Sequence, residues 1–339
     1  MFREVLMKLT EACPCNCLFC DAPEKYRNIQ QCEISDDEWM DFCGDLIRNH
    51  IEVAIISGGE ALLRESLVYK MIHILKKNGV FVVLNTSGVL FDSTEKIDRL
   101  LENYPSLLVF SIDNSDADKH DQNRKYPGLF NRVCDSISYI KSKGVYPIAI
   151  RTVITKNNYL ALPEIIRRFN TLGVDCIKLT HIEDDYEGMF LLSEYELEKF
   201  ETQIKPSMLS ELSRCKFGDV SLFEENCRKI QYIFSKSTVS YFDYAHSKFA
   251  PQMTGSTRCS LIERFITVQS NGNYLPCCEA EHHGWPVLGN LKTTKIDKVL
   301  SSEIYNKTLC NRQEYCTRCT EFCNLQIDFD VAGRKVVER

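Results

Sequence analysis

The chain has no apolar run long enough for a bilayer-crossing helix, which needs about 20 residues, so a helical membrane protein is excluded. It also lacks a basic excess. Its formal net charge is −6, which argues against non-specific binding to nucleic acid or acidic membrane. The opening Met-Phe-Arg-Glu-Val-Leu-Met-Lys-Leu is too short and too charged for a secretion signal. A reducing, cytoplasmic setting is therefore expected. No internal repeat and no low-complexity tract interrupts the chain. Cysteine, by contrast, is abundant: 17 in 339 residues, an odd number. In a reducing compartment this predicts metal binding plus ordinary buried thiols rather than disulfides. The isolated Cys32, Cys43, Cys134, Cys176, Cys215 and Cys227 are expected in the core, where free cysteine behaves as a small hydrophobe. A hydrophobic content of 44% suffices for a core, and the length suits one large domain plus a smaller one.

Cys13, Cys17 and Cys20 form a CxxxCxxC pattern. Three thiolates on one loop can hold three corners of an iron–sulfur cube. The fourth iron then has no protein ligand, and an open metal position is where chemistry happens. No histidine lies nearby to complete a zinc tetrahedron, although Cys15 leaves an all-cysteine zinc site as the alternative. A disulfide accounts poorly for three bunched thiols.

The first half alternates apolar strands with helices. Strands are predicted over residues 5–9, 53–56, 80–84, 107–112, 146–153 and 176–180. Helices are predicted over 36–49, 67–78, 95–103, 130–143 and 162–172, with Ser35 as an N-cap and Gly79, Gly144 and Gly173 as C-terminal stops. Continuous apolar strands separated by helices mark a parallel sheet covered by helices. Six such units predict an α/β fold, a partial (β/α)6 TIM-like barrel over residues 1–182. Its polar strand-end residues gather on the face where such folds bind ligands. Residues 183–250 read as a helical bridge, with helices over 194–203 and 222–234. Residues 251–339 form a second, cysteine-bearing domain.

Within that domain, Asn271-Gly272 predicts a hairpin between residues 265–268 and 274–276. A hairpin brings Cys259 and Cys277 together, and Cys316 and Cys319 of a later CxxCxxxC run, closed by Cys323, supply further ligands. Cys310 precedes that run. Spacing alone leaves a zinc knuckle and an iron–sulfur cluster equally open.

The thiol loop with Phe19 before its last cysteine resembles the cluster loop of radical S-adenosylmethionine (SAM) enzymes. Gly58-Gly59-Glu60 after the second strand is similar to that family's GGE motif. Phe110-Ser111-Ile112-Asp113, followed by His120-Asp121 and Arg124, resembles the SLDG…HD..R stretch of a subgroup with a C-terminal SPASM or twitch domain. The pattern of Cys259, Gly272, Pro276-Cys277-Cys278, Gly289-Asn290, Cys316, Cys319 and Cys323 resembles that domain. Ala61 and Asn114 stand where the family usually has Pro and Gly. The C-terminal cysteines are too few for a full SPASM pattern, which points to the shorter twitch form with one auxiliary cluster.

The resemblance implies a [4Fe–4S] cluster on Cys13, Cys17 and Cys20 that binds SAM. It also implies an auxiliary cluster on Cys259, Cys277, Cys316 and Cys319, with Cys323 or Cys310 able to replace one ligand. Reductive cleavage of SAM would give a 5′-deoxyadenosyl radical that takes a hydrogen atom from substrate. Glu60 would meet the SAM ammonium, and Ser111 and Arg124 its carboxylate or ribose. Arg124 as a surface cation is the alternative for that residue. Gly58 and Gly59 would permit close approach, and Asn85 and Thr152 would line the pocket. His120 and Asp121 read as structural, and Glu183, Asp184, Asp185 and Tyr186 as a solvated run near substrate. The auxiliary cluster implies oxidation of a peptide or small polar molecule. A redox-neutral epimerase is the alternative, with Cys278 or Cys176 as hydrogen donor. Flavodoxin or ferredoxin would be the electron donor. The few residues before Cys13 hold no leader-binding domain, which favours a small molecule or a separate recognition protein. A zinc-stabilised interaction module is the reading from another class.

Overall fold

The computed structural model describes residues 3–21, 32–181, 189–214, 261–278, 280–281 and 284–311. The first half forms six strands: β1 (Glu4–Lys8), β2 (Val53–Ser57), β3 (Phe81–Thr86), β4 (Leu107–Ser111), β5 (Ile148–Ile154) and β6 (Cys176–His181). The helices between them are α1 (Asp36–Arg48), α2 (Glu65–Lys77), α3 (Thr94–Glu102), α4 (Ala117–Arg124), α5 (Leu129–Lys143) and α6 (Leu162–Thr171). All six strands run parallel, in the order β6-β5-β4-β3-β2-β1. Each crossover thus moves one place along the sheet, as repeated right-handed β-α-β units do. The result is the expected partial barrel, with β6 at one edge of its sheet.

The expected elements agree to within one or two residues. Ser35 caps α1 in a capping box: its hydroxyl accepts from the Glu38 N–H, and Glu38 accepts from the Ser35 N–H. Helix α4 is the element that periodicity does not reveal. Its buried side chains are His120 and Arg124, not hydrophobes, so it shows no apolar stripe to read. Asp116 caps its start, and Lys125 closes it in a left-handed conformation at φ 51°. As expected, Asp121 is structural: its carboxylate accepts from the N–H groups of Gly128 and Phe130, capping α5.

Strand alternation gives the sheet two distinct faces. Met7, Ile56, Leu84, Phe110 and Ile150 are fully buried under the helices. The other, concave face carries Leu6, Ile55, Val83 and Val109, then a half-buried polar rim at the carboxyl ends: Lys8, Ser57, Asn85, Ser111 and Arg151.

Beyond β6 come α7 (Glu194–Lys199), a π-helical turn (Phe200–Ile204) and α8 (Lys205–Arg214). The second half adds α9 (Leu261–Arg264), β7 (Phe265–Val268), β8 (Tyr274–Leu275), α10 (Ile296–Leu300) and α11 (Glu303–Cys310). The expected hairpin is present, with β7 antiparallel to β8. Gly272 takes φ 88°, and a Cβ there would stand 2.6 Å from Ile34 Cδ1. The hairpin also extends the barrel sheet, because β7 pairs in parallel with β1. The rest of the bridge, including its helix over 222–234, lies outside the described residues. Among the described residues, no helix is long and apolar enough to cross a membrane.

Replacing Ser35 by Ala removes the hydroxyl that accepts from the Glu38 N–H and leaves only the backbone half of the capping box. It is expected to lower stability by about 1 kcal/mol, read as an earlier urea midpoint at unchanged slope.

Candidate active site at the barrel mouth

The thiol loop leaves β1 at its carboxyl end and is pinned from several sides. The Arg64 guanidinium donates to the Leu9 carbonyl at 2.9 Å and to the Ile34 carbonyl at 2.9 Å. Glu33 accepts from the Thr10 hydroxyl and the Glu11 N–H. From the next loop, Gly59 N–H donates to the Thr10 carbonyl at 2.6 Å, and Glu60 N–H to the Ala12 carbonyl at 2.8 Å. This approach is so close that a Cβ on Gly59 would lie 2.3 Å from the Ala12 oxygen, and one on Gly58 2.4 Å from the Thr10 oxygen. The two glycines therefore serve to let the strand end abut the thiol loop.

Glu60 is wholly buried. Its carboxylate accepts from the Thr86 hydroxyl (2.9 Å), the Ser87 N–H (2.9 Å), the Ser87 hydroxyl (2.5 Å) and the Leu62 N–H (3.3 Å). Burial raises its pKa, and the Ser87, Thr86 and Leu62 donors oppose that rise. Thr86 and Ser87 hold this carboxylate, and neither was singled out from the sequence.

On the opposite side, the loop rests on the end of α4. Asn16 N–H donates to the Arg124 carbonyl at 3.2 Å, and Leu18 N–H to the Asn123 carbonyl at 2.9 Å. Arg124 is buried, which settles it as no surface cation. Its Nε and Nη2 grip Asp113 at 2.6 and 2.7 Å, and its Nη1 points at Cys17 Sγ, 3.6 Å away. The fork is thus committed to Asp113, a geometry that differs from the expected direct contact with SAM. Burial works against the guanidinium charge, but Asp113 and the Cys17 and Cys15 sulfurs outweigh it and raise the pKa above the ordinary arginine value. Phe19 lies 5.8 Å from the guanidinium and meets Phe190 edge-on at 6.3 Å.

Cys17 is buried, Cys13 half-buried and Cys20 exposed. Cys15 is buried beside them. The Cys13 thiol, followed by burial, raises Cys15 to about 12 against the pull of Cys17. Cys17 is raised likewise, by its contact with Cys15 and by burial. Among the described residues, no three His, Cys, Asp or Glu side chains already stand as a ready-made metal site. The fit to a cluster therefore rests on the donor set, all sulfur on one pinned loop, and on the glycine edge beside it.

The remaining site residues divide by strand face. Asn85 and Ser111 lie on the concave rim, where Asn85 donates to the Ser57 hydroxyl at 3.5 Å. Thr152 does not line the rim. It is fully buried on the helix-covered face, between Ile150 and Ile154. Its neighbour Arg151, register partner of Ser111, has the rim position. Strict alternation along β5 is the sequence signal that finds it. Cys176 is buried, as expected, but opens β6 at the end away from the loops, about 16 Å of strand from the mouth. That distance removes it as a hydrogen donor there. Cys278 is half-buried beside Cys277, which packs with Phe265, Leu275 and Trp285. Cys310 is exposed at the end of α11. Cys43 is buried, but Cys32 is exposed rather than in the core, being in the short segment ahead of α1. Cys259, Cys316, Cys319, Cys323, Cys215, Cys227 and the run Glu183, Asp184, Asp185 and Tyr186 lie outside the described residues.

The mouth thus sets thiols on one loop against a glycine edge on the next, at the strand ends where barrel enzymes hold their cofactors. The family model of the radical SAM superfamily matches residues 7–169, and that of the SPASM iron–sulfur cluster-binding domain matches residues 259–320. The chain belongs to the radical SAM superfamily, in its SPASM/twitch subgroup. It is a radical SAM enzyme whose cofactors are SAM, the cluster that binds it and the iron–sulfur cluster of the C-terminal domain.

Among relatives, the PqqA peptide cyclase of Gluconobacter oxydans is 23% identical over 89% of this chain and 76% of its own length. The AdoMet-dependent heme synthase of Methanosarcina barkeri is 30% identical, but that match spans 49% of this chain and 46% of the relative. Streptococcus suis SuiB bound to S-adenosylmethionine has the same fold, with TM-score 0.67, 14% identity and coverage of 94% of this chain and 73% of SuiB. AnSMEcpe with bound AdoMet and Cp18Cys peptide gives TM-score 0.64 at 17% identity, covering 95% and 88% of the two chains.

Gly59→Ala is expected to push the thiol loop off the strand end, costing about 1–3 kcal/mol together with bound iron. Gly44→Ala is its control, since that Cβ meets only the Arg48 side chain at 3.3 Å. Equal iron content and equal denaturation midpoints in the two variants would contradict this account.

The buried His120 gives a pH signature. Its Nδ1 accepts from the Asp113 N–H at 3.1 Å. Burial lowers its pKa from 6.5 to about 4, with Asp113 pulling the other way. The unfolded chain takes up the proton first, so this contribution is complete above pH 6.5 and is lost as pH falls towards 4. His120→Gln keeps an acceptor but titrates nothing. It should flatten the acid slope of stability by up to about 3 kcal/mol, measured by denaturation across that window; parallel slopes would rule it out.

Proposed function

We propose that this enzyme oxidises a peptide or small polar substrate at carbon. A hydrogen atom would be taken at the barrel mouth, after which the substrate radical would give up one electron to the C-terminal iron–sulfur site and one proton to solvent. The observation that carries this reading is the joining of thiol loop, glycine edge and α4 into one hydrogen-bonded rim. Cys13, Cys17 and Cys20 are the assigned ligands of the SAM-binding cluster. When bound and reduced, that cluster and SAM supply a 5′-deoxyadenosyl radical able to attack unactivated carbon.

The chain's own residues orient and exclude. The Gly58-Gly59 edge sets the thiol loop directly against the strand end. Glu60, Asn85 and Ser111 are assigned to the polar substituents of SAM, and Arg151 to the substrate side of the rim. Phe19, packed on Phe190, walls the loop from water. Cys277 is assigned to the auxiliary cluster, with Cys259, Cys316 and Cys319, and with Cys323 or Cys310 as the substitute. The domain limits 1–182, 183–250 and 251–339 belong to the same proposal, as do a flavodoxin or ferredoxin donor and a cytoplasmic setting.

A peptide is the favoured substrate, because the relative named for a peptide cyclase aligns over most of this chain. The epimerase alternative retains Cys278 but loses Cys176. Anaerobic reconstitution followed by reduction with SAM should release 5′-deoxyadenosine. Cys13→Ala, Cys17→Ala and Cys20→Ala should each abolish that release and the associated iron. Full turnover in any of the three ends the assignment.

A further inference from the structure

The rim holds one charged group whose partners are all internal and whose free N–H faces a thiol. We propose that Arg124, oriented by Asp113, is a positioning residue that donates through Nη1 to the Cys17 sulfur and so sets the reduction potential of the cluster on that loop. The inference rests on the assignment of Cys17 as a ligand.

Three observations carry it. The guanidinium is fixed at two points by Asp113, leaving Nη1 directed at Cys17 Sγ at 3.6 Å. The thiol loop is held to the same helix end by main-chain bonds on both sides of Cys17, from Asn16 to Arg124 and from Leu18 to Asn123. The sulfur and the guanidinium therefore cannot drift apart without breaking backbone pairing. Asp113 is itself immobilised. Asn123 Nδ2 donates to its carboxylate at 2.5 Å, Asn158 Nδ2 to its carbonyl at 2.8 Å, and its N–H donates to His120.

The chemistry follows from charge. Hydrogen bonds to ligand sulfurs and nearby net charge are among the main determinants of cluster potential, and outer partners of ligands are the usual means of tuning. The couple is a one-electron one: a reductant supplies the electron, the cluster gains it, and no bond is made. A cation beside Cys17 favours the reduced, more negative state. Its carboxylate partner moderates that effect, so the two residues act in opposite senses.

The test is a redox titration of the reconstituted holoenzyme followed by electron paramagnetic resonance. The relevant cluster is the one whose signal changes when SAM is added. Arg124→Gln should move its potential to a more negative value, and Asp113→Asn to a less negative one. A purely structural role would lower cluster retention in both without opposite shifts. A second measurement needs no variant to fold: wild-type protein labelled with 15N-arginine should show nitrogen coupling to the reduced cluster. Unmoved potentials, shifts of the same sign, or absent coupling overturn the proposal alone. A wild-type protein with no SAM-responsive signal overturns it together with the assignment of the loop.

Discussion

The barrel mouth depends on one buried ion pair. Asp113 lies two residues beyond β4 and Arg124 ends α4, and their bidentate contact is shielded from water. Removing one partner of such a pair costs about 3–5 kcal/mol, since the other charge is left uncompensated. Because the Arg124 carbonyl also accepts from the thiol loop, the same contact fixes that loop's place. A buried pair is not in itself a gain in stability over apolar packing. Its presence here is better understood as a means of placing a charge and a loop than of strengthening the core.

The loop is held between two such attachments. On one side stands α4, on the other the Gly58-Gly59 edge. The attachments differ in kind. The glycine edge works by having no side chain, so that carbonyl and N–H groups meet directly. The α4 side works through charge. Glu60 links the second attachment to β3 through Thr86 and Ser87. Strand ends β1 to β4 are thus joined laterally above the sheet as well as within it.

Much of this was legible in the sequence because it is carried by local rules. Apolar strands, capping residues and glycine stops place the six β-α units almost to the residue. The thiol and GGE motifs are contiguous, so their juxtaposition follows once the strands are parallel neighbours. What escaped reading is non-local or polar. Helix α4 buries His120 and Arg124 in place of hydrophobes, so a hydrophobic period has nothing to report. Thr152 and Arg151 differ by one position, and in a strand one position exchanges the faces. Cys176 is on the sixth strand, as its apolar surroundings suggest, but at the wrong end of it. No motif marks Thr86 and Ser87, because hydroxyls that brace a carboxylate are common everywhere.

The β1–β7 pairing decides how the two cysteine regions relate. The thiol loop leaves the carboxyl end of β1, and β7 runs beside β1 in the same direction. Strand β8 then runs back, with Leu275 opposite Thr267, which is itself level with Leu6. Cys277 lies just beyond the end of β8, in the apolar cluster against which Leu6 packs. The β1–β7 register admits no sliding, because a one-residue slip would turn Leu6 and Thr267 onto the opposite face. The Lys8 side chain, on the concave rim, comes within 3.7 Å of Glu281. Glu281 therefore reaches the polar rim.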